Sequence, residues 1–300
     1  MPKIRVFVVD DSAFMRGIIT KMLESDDEIE VIGSARNGQE AIEKIGVLKP
    51  DVVTLDIEMP IMNGIETLKY LMKNNPLPVI MFSALTSEGA EVTLEALNIG
   101  ASDFITKDFS NFSIKISGKE NELVNKVKNV AKKKSLYLMR RINFPRKQVT
   151  VNKRKRIKHS ILAIGASTGG PPAIENVLSG IPGDFPVPIV ISQHMPKLFT
   201  KSFAQRLNNT SQITVKEAEN GEALKSGIAL IAPGDTHMGI VKRNNEAVVE
   251  FTNDTKYIYR PSVDLLFSSV AQVYGMESVC VILTGMGNDG MAGAKDVKAK

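Results

Sequence analysis

One cysteine, Cys280, is the only thiol in 300 residues, and a single thiol excludes an intramolecular disulfide. It lies in the apolar run Ser278-Val279-Cys280-Val281-Ile282-Leu283, where a small buried side chain is expected rather than a nucleophile. Long hydrophobic runs are also missing: none approaches the ~18 residues of a membrane-spanning helix. Near the amino terminus, Asp10 and Asp11 interrupt the apolar stretch 4–9 before it reaches signal-peptide length. The expectation is a cytoplasmic protein without membrane insertion. Histidine is scarce as well, so an imidazole base has to be chosen among His159, His194 and His237.

Acidic residues are absent from one stretch. Between Lys132 and Lys158 there are twelve Lys or Arg and no Asp or Glu. Outside it, 26 basic residues face 33 acidic ones, so the net charge of +5 becomes −7 and the basicity belongs to a connector. This stretch has no sustained period and no folded binding motif, and Tyr137 and Phe144 are its only aromatics, too few for regular aromatic interleaving, which argues for a solvated tether and against a nucleic-acid partner.

With 43% hydrophobic and 24% charged residues, the remainder has the composition of ordinary globular protein, and the length suits about two domains of ~150 residues. Short β-branched runs at 4–9, 29–34, 51–55, 79–82 and 103–105 alternate with helical patterns, the signature of a parallel sheet covered on both faces. An amphipathic segment with Leu123, Val124, Val127, Val130 and Ala131 at helical spacing closes this unit. After the connector the alternation resumes, with strands expected at 160–164, 187–192, 228–231 and 278–283, a hairpin pairing 238–241 with 247–251, and a helix over 262–273. The fold class is therefore α/β: a (βα)5 unit, then a doubly wound parallel sheet carrying a β-hairpin.

Ligands of such sheets collect at the carboxyl ends of the strands. In the first half Val9 runs into Asp10-Asp11, Leu55 into Asp56, Phe82 into Ser83, and Ile105 leads to Lys107. Three carboxylates facing one another repel unless a divalent cation bridges them, which implies Mg²⁺. A carboxylate beside that ion can attack a phosphoryl donor, with Lys107 and the Ser83 hydroxyl holding the transferred oxygens.

In the second half, Ile164-Gly165-Ala166-Ser167-Thr168-Gly169-Gly170 is a strand, a glycine-rich turn and a helix start. It exposes Ser167 beside backbone N–H groups able to face an oxyanion. The loop has no lysine, and its glycine spacing fits neither the P-loop nor the dinucleotide fingerprint. His194 directly follows a strand, whereas His159 precedes one and so lies at the opposite edge; His237, at the start of the expected hairpin, could line the cleft without being the base. For the orienting carboxylate, Asp289 in Thr284-Gly285-Met286-Gly287-Asn288-Asp289-Gly290 competes with Asp235. The order Ser, His, Asp differs from the Ser, Asp, His order of α/β-hydrolases.

Taken with Asp56-Ile57-Glu58-Met59-Pro60 and Met62-Asn63-Gly64, the first half resembles the receiver domain of two-component response regulators, over residues 1–121. That resemblance implies Asp56 as phosphoacceptor, Mg²⁺ held by Asp10, Asp11, Asp56 and the Glu58 carbonyl, Ser83 and Lys107 on the phosphoryl group, and Phe104 as a rotating aromatic switch. Asp108 stands after Lys107 where the family usually has proline. Gly165–Gly170, Gln193-His194-Met195, Ala232-Pro233-Gly234 with His237, Arg260-Pro261-Ser262-Val263-Asp264 and Thr284–Gly290 together resemble the catalytic domain of the CheB family of chemotaxis protein-glutamate methylesterases. This second resemblance implies Ser167, His194 and Asp289 as nucleophile, base and orienting acid, with backbone N–H groups near Thr168 and Met286 at the oxyanion. It further implies methyl-accepting chemotaxis receptors as substrates, glutamine deamidation as a second activity, a chemotaxis histidine kinase as phosphodonor, a monomer, and no cofactor for the hydrolysis. The expected division is a receiver over 1–121, a closing helix and basic connector over 122–157, and a catalytic domain over 158–300. Eleven residues follow Asp289, where such domains continue through a further strand and helix.

Overall fold

A computed structural model describes residues 2–107, 116–132, 159–285 and 287–300. Asp108, Met286 and the basic connector 133–158 lie outside the described residues. The chain divides into two compact units, Met1–Gln148 and Val149–Lys300.

In the first unit, strands and helices alternate as β1 (Ile4–Val9), α1 (Ala13–Glu24), β2 (Ile29–Ala35), α2 (Gly38–Leu48), β3 (Val52–Asp56), α3 (Gly64–Asn74), β4 (Val79–Ser83), α4 (Ser87–Ile99), β5 (Asp103–Thr106) and α5 (Ile116–Lys132). The strands form one parallel sheet in the order β2-β1-β3-β4-β5. Val6 to Val9 are all buried, so successive side chains are covered on both faces of the sheet, which is why the strands read as continuous apolar runs. Side chains at the helix starts fix the turns that follow the strands: Ser12 accepts the Met15 N–H, Asn37 the Glu40 N–H, and Asn63 with Glu66 forms a reciprocal capping box. The closing helix begins at Ile116, so residue 121 falls inside it; Leu123, Val124, Val127 and Val130 pack into the core formed with Val6, Val8, Ile80 and Phe82.

The second unit runs β6 (Ile161–Ala166), α6 (Gly170–Leu178), β7 (Ile189–Gln193), α7 (Lys197–Thr210), β8 (Thr214–Glu217), β9 (Ile228–Ile231), β10 (His237–Arg243), β11 (Glu246–Thr252), α8 (Val263–Tyr274), β12 (Ser278–Ile282) and α9 (Met291–Lys298). Its parallel sheet has the order β12-β6-β7-β9-β8, while β10 and β11 pair as an antiparallel hairpin. Asn244 and Asn245 turn that hairpin, both at positive φ (48° and 68°), as a two-residue primed turn requires. The chain leaves β6 toward β7 on one side and returns as β12 on the other, so the crevice of this sheet opens over the carboxyl end of β6.

Two differences from expectation have local causes. The strand anticipated at 187–192 begins at Ile189, because Pro188 has no N–H for the ladder. β8 was not anticipated: it is a four-residue edge strand with only Val215 buried, too short and too polar to leave a periodic signal. Helix α8 places Val263, Leu266, Phe267, Val270 and Ala271 on one buried stripe against β6 and β10. Phe267 is fully buried there, so Phe267→Ala should lower stability by about 3–5 kcal/mol, read from the denaturant midpoint; a loss below about 1 kcal/mol would contradict this packing.

Candidate functional site

Both units gather polar groups at the carboxyl ends of neighbouring parallel strands. In the first, Asp10 follows β1, Asp56 ends β3, Ser83 ends β4 and Lys107 follows β5. The Lys107 Nζ lies 2.9 Å from Asp10 Oδ2 and 2.7 Å from Asp56 Oδ1. Asp10, Asp11 and Asp56 each bring a carboxylate oxygen within 4.8 Å of the other two; Asp10 and Asp56 are buried and Asp11 is exposed. Burial pushes the Asp56 carboxyl up to about 6, against the pull of the Lys107 ammonium and with a further push from Asp10. Burial opposes the Lys107 charge, but Asp56 and Asp10 outweigh it and raise its pKa.

Three carboxylates and one ammonium leave two negative charges, and this all-oxygen donor set suits a hard divalent cation. The exposed Glu58 approaches through its backbone, whose N–H donates to the Asp56 carboxylate. Ser83 lines the same cleft as Asp56 and Lys107, but its hydroxyl donates to the Gly89 carbonyl (3.1 Å) and accepts from Thr93 Oγ1 (2.7 Å). Phe104 is buried, with the Lys126 Nζ 5.2 Å from its ring centre.

In the second unit, Ser167 follows β6, His194 follows β7 and Asp289 lies in the turn after β12. Backbone bonds tie these turns together: Ser167 N–H donates to the Thr284 carbonyl (2.8 Å) and His194 N–H to the Ala166 carbonyl (3.1 Å). Buried Gln193 adds a side-chain clamp, its Nε2 donating to the Ser167 and His194 carbonyls at 3.1 and 3.0 Å. Gly285 permits the close approach of the third turn, since a Cβ there would come within 2.9 Å of the Ser167 Cβ.

The three side chains form one row. Ser167 Oγ is 3.0 Å from His194 Nδ1, and His194 Nε2 is 2.7 Å from Asp289 Oδ2. An ionised carboxylate only accepts, so Nε2 carries the proton and Nδ1 is left to accept the Ser167 hydroxyl proton. This is the reverse of the ring orientation in chymotrypsin-like proteases, where Nε2 faces the serine. Tyr259 stacks on the imidazole at 4.8 Å between ring centres and 10° between planes, offering a π face to a developing imidazolium.

Asp289 is held by more than His194. Its oxygens accept the Val263 N–H (2.8 Å), the Asp264 N–H (2.9 Å) and the Ser262 hydroxyl (2.9 Å), all at the start of α8. Burial opposes the charge on Asp289, but the His194 hydrogen bond and these backbone donors outweigh it and hold the carboxyl below its usual range.

The alternatives left open by the sequence are thereby separated. Asp235 is exposed in a left-handed turn, and His159 is exposed ahead of β6. His237 is buried: its Nε2 donates to the Asp254 carbonyl (3.1 Å), its Nδ1 accepts the Ser262 N–H (3.2 Å), and burial pushes its pKa down. Cys280, on β12, has a thiol that burial pushes up to about 12, consistent with an inert side chain. Thr168 is buried beside Ser167, and its N–H has no hydrogen-bond partner among the described residues.

Residues 162–300 match the family model of the CheB methylesterase, and residues 6–116 that of the response regulator receiver domain. A Lawsonia intracellularis protein named protein-glutamate methylesterase/protein-glutamine glutaminase is 48% identical over 309 residues, covering 99% of this chain and 87% of its own. The chain belongs to the protein-glutamate methylesterase/protein-glutamine glutaminase family. The relative of the same name from Bacillus licheniformis is 48% identical, with 97% of this chain and 84% of that protein covered. Among solved structures, the CheB methylesterase catalytic domain of Thermotoga maritima is 45% identical at a TM-score of 0.46, covering 48% of this chain and 76% of that one.

Sequence reasoning singled out the row itself but assigned no role to Ser262, Asp264 or Tyr259. Arg260 to Asp264 carried the family resemblance, and Ser262 before an apolar stripe, with acidic Asp264 two residues on, was the local sign that a helix start lay there.

The lowered Asp289 pKa has a definite sign in stability. Its contribution is complete above the unfolded-state value of about 3.9 and fades as pH falls through the lower folded value. Asp289→Ala should therefore be less stable than the parent at pH 7, with a deficit that shrinks below about pH 4. Chemical denaturation at pH 7 and pH 3 measures this, and equal deficits at both would contradict it.

Proposed function

We propose that Ser167, His194 and Asp289 hydrolyse methyl esters of glutamate side chains on methyl-accepting chemotaxis receptors, and deamidate specific glutamines by the same route, under control of phosphorylation at Asp56. The observation that carries this reading is the row from Ser167 Oγ through His194 to Asp289, at 3.0 and 2.7 Å. His194 Nδ1 takes the hydroxyl proton as Ser167 Oγ attacks the γ-carbonyl carbon. The tetrahedral oxygen faces the Thr168 N–H, with the Met286 N–H proposed as second donor from outside the described residues. Collapse expels methanol, or ammonia from glutamine, with the proton returned by the imidazolium. Water then repeats the cycle on the acyl-enzyme and frees the carboxylate. Asp289 fixes the tautomer throughout and stabilises the imidazolium. This hydrolytic step uses no cofactor.

The receiver supplies the control. Asp10, Asp11, Asp56 and the Glu58 carbonyl are the groups that would hold Mg²⁺, which when bound offsets the charge of the phosphoryl oxygens. A chemotaxis histidine kinase is the proposed phosphodonor in the cytoplasm, and Asp56 Oδ the acceptor. Lys107, already bonded to Asp56, stays on the phosphoryl group; the Ser83 hydroxyl turns from Gly89 toward it and Phe104 follows. Phosphorylation then shifts the population toward the active enzyme. Among the described residues no helix is long and apolar enough to cross a membrane.

Two experiments test this reading. Ser167→Ala should reduce methanol release from methylated receptor by at least about 10³-fold, and undiminished release would remove the assignment. With Mg²⁺ and a small acyl phosphate, the parent should be stimulated while Asp56→Asn is not; chelating Mg²⁺ should abolish the stimulation in the parent. Equal stimulation of parent and variant would defeat the regulatory assignment.

A further inference from the structure

Asp289 and Asp264 hold each other's helix. Asp289 stands two residues before α9, yet its carboxylate accepts the Val263 and Asp264 N–H groups at the start of α8. Asp264 lies in the first turn of α8, yet its Oδ1 accepts the N–H of Gly290 (2.9 Å) and of Gly293 (2.8 Å) at the start of α9. Each helix thus has its free amide donors closed by a carboxylate from the neighbourhood of the other.

The exchange needs the two helix starts almost in backbone contact. Gly293 provides that approach: a Cβ there would come within 2.7 Å of the Asp264 carbonyl oxygen and 2.6 Å of the Phe267 Cβ. Gly290 is the residue immediately after Asp289, so Asp264 grips the backbone one peptide away from the carboxylate that orients His194. The turn is pinned on one side by the donors of α8 and on the other by Asp264.

We infer that Asp264 is a positioning residue for the hydrolytic reaction, locking the turn that holds Asp289 Oδ2 on His194 Nε2. This inference rests on the proposed roles of Ser167, His194 and Asp289, and it predicts that Asp264 acts on turnover only while Asp289 is there to be positioned. A residue that merely anchors α9 predicts otherwise, since its loss impairs enzymes with and without the Asp289 carboxylate alike.

The test is a kinetic double-mutant cycle on the full chain with methylated receptor as substrate, the folded fraction of each variant being checked by circular dichroism. Asp264→Ala should lower kcat about 10- to 100-fold, the scale of a displaced catalytic group, with KM within about twofold of the parent. Asp264→Asn keeps an oxygen able to accept both N–H groups and should lose less than about fivefold. Asp264→Glu retains the charge at the helix start but shifts the turn, and should fall between the two, which keeps the test valid should the alanine variant not fold. In an Asp289→Ala background, neither Asp264→Ala nor Asp264→Glu should lower kcat by more than about a further twofold. Parental kcat in Asp264→Ala, or losses that multiply in the Asp289→Ala background, would overturn the inference. Parental kcat in Asp289→Ala itself would overturn both the inference and the reading of the row on which it stands.

Discussion

A carboxylate at the start of a helix organises the catalytic unit. Asp289 is acceptor-only, and four donors converge on it: the Val263 and Asp264 N–H groups, the Ser262 hydroxyl and His194 Nε2. Placing an ionised group in this half-buried position is costly unless its lone pairs are filled, and here the end of α8 fills them. With the carboxylate fixed and charged, the imidazole has one workable tautomer. Its remaining nitrogen then has a single task, accepting from Ser167.

The parallel sheet makes that convergence possible. Ser167, His194 and Asp289 are separated by 27 and 95 residues in the chain, but each follows a strand, and β6 lies between β7 and β12. Switching direction at β6 opens a crevice at the carboxyl edge, where the turns after all three strands meet. The receiver uses the same geometry for different chemistry: aspartates after β1 and at the end of β3, with a lysine after β5, make a charged pocket instead of a neutral hydroxyl paired with an imidazole. In both units the glycines and caps of the following helices set the turns, and the strands set the spacing.

The strand-end rule also explains how much of this was legible in the sequence. Candidate site residues stand next to apolar runs, so the positions of Asp10, Asp56, Lys107, Ser167 and His194 at strand ends could be read from local pattern alone. Local pattern alone left Asp235 as a rival to Asp289, since both sit in glycine-containing turns, and the choice of Asp289 came from the family resemblance; the coordinates place Asp289 on the ring and leave Asp235 in solvent. The supporting residues were not legible. Asp264 reads locally as an acidic residue favouring its own helix start, but its side chain caps α9, 26 and 29 residues further on. Likewise His237 closes one loop by bonding both Asp254 and Ser262, and Tyr259 covers His194 from that loop. Such contacts depend on tertiary folding, which leaves no period or spacing to detect. Edge strand β8 failed for the opposite reason, being local but too polar to stand out.

The central claim is that Asp289 holds His194 with its proton on Nε2 and its Nδ1 lone pair toward Ser167. Two-bond ¹H–¹⁵N NMR of histidine-labelled protein near neutral pH tests it most directly, with the His194 signals assigned by comparison with a His194→Gln variant. The account predicts a protonated Nε2 and an unprotonated Nδ1 in the neutral ring. A neutral ring with its proton on Nδ1 would contradict it.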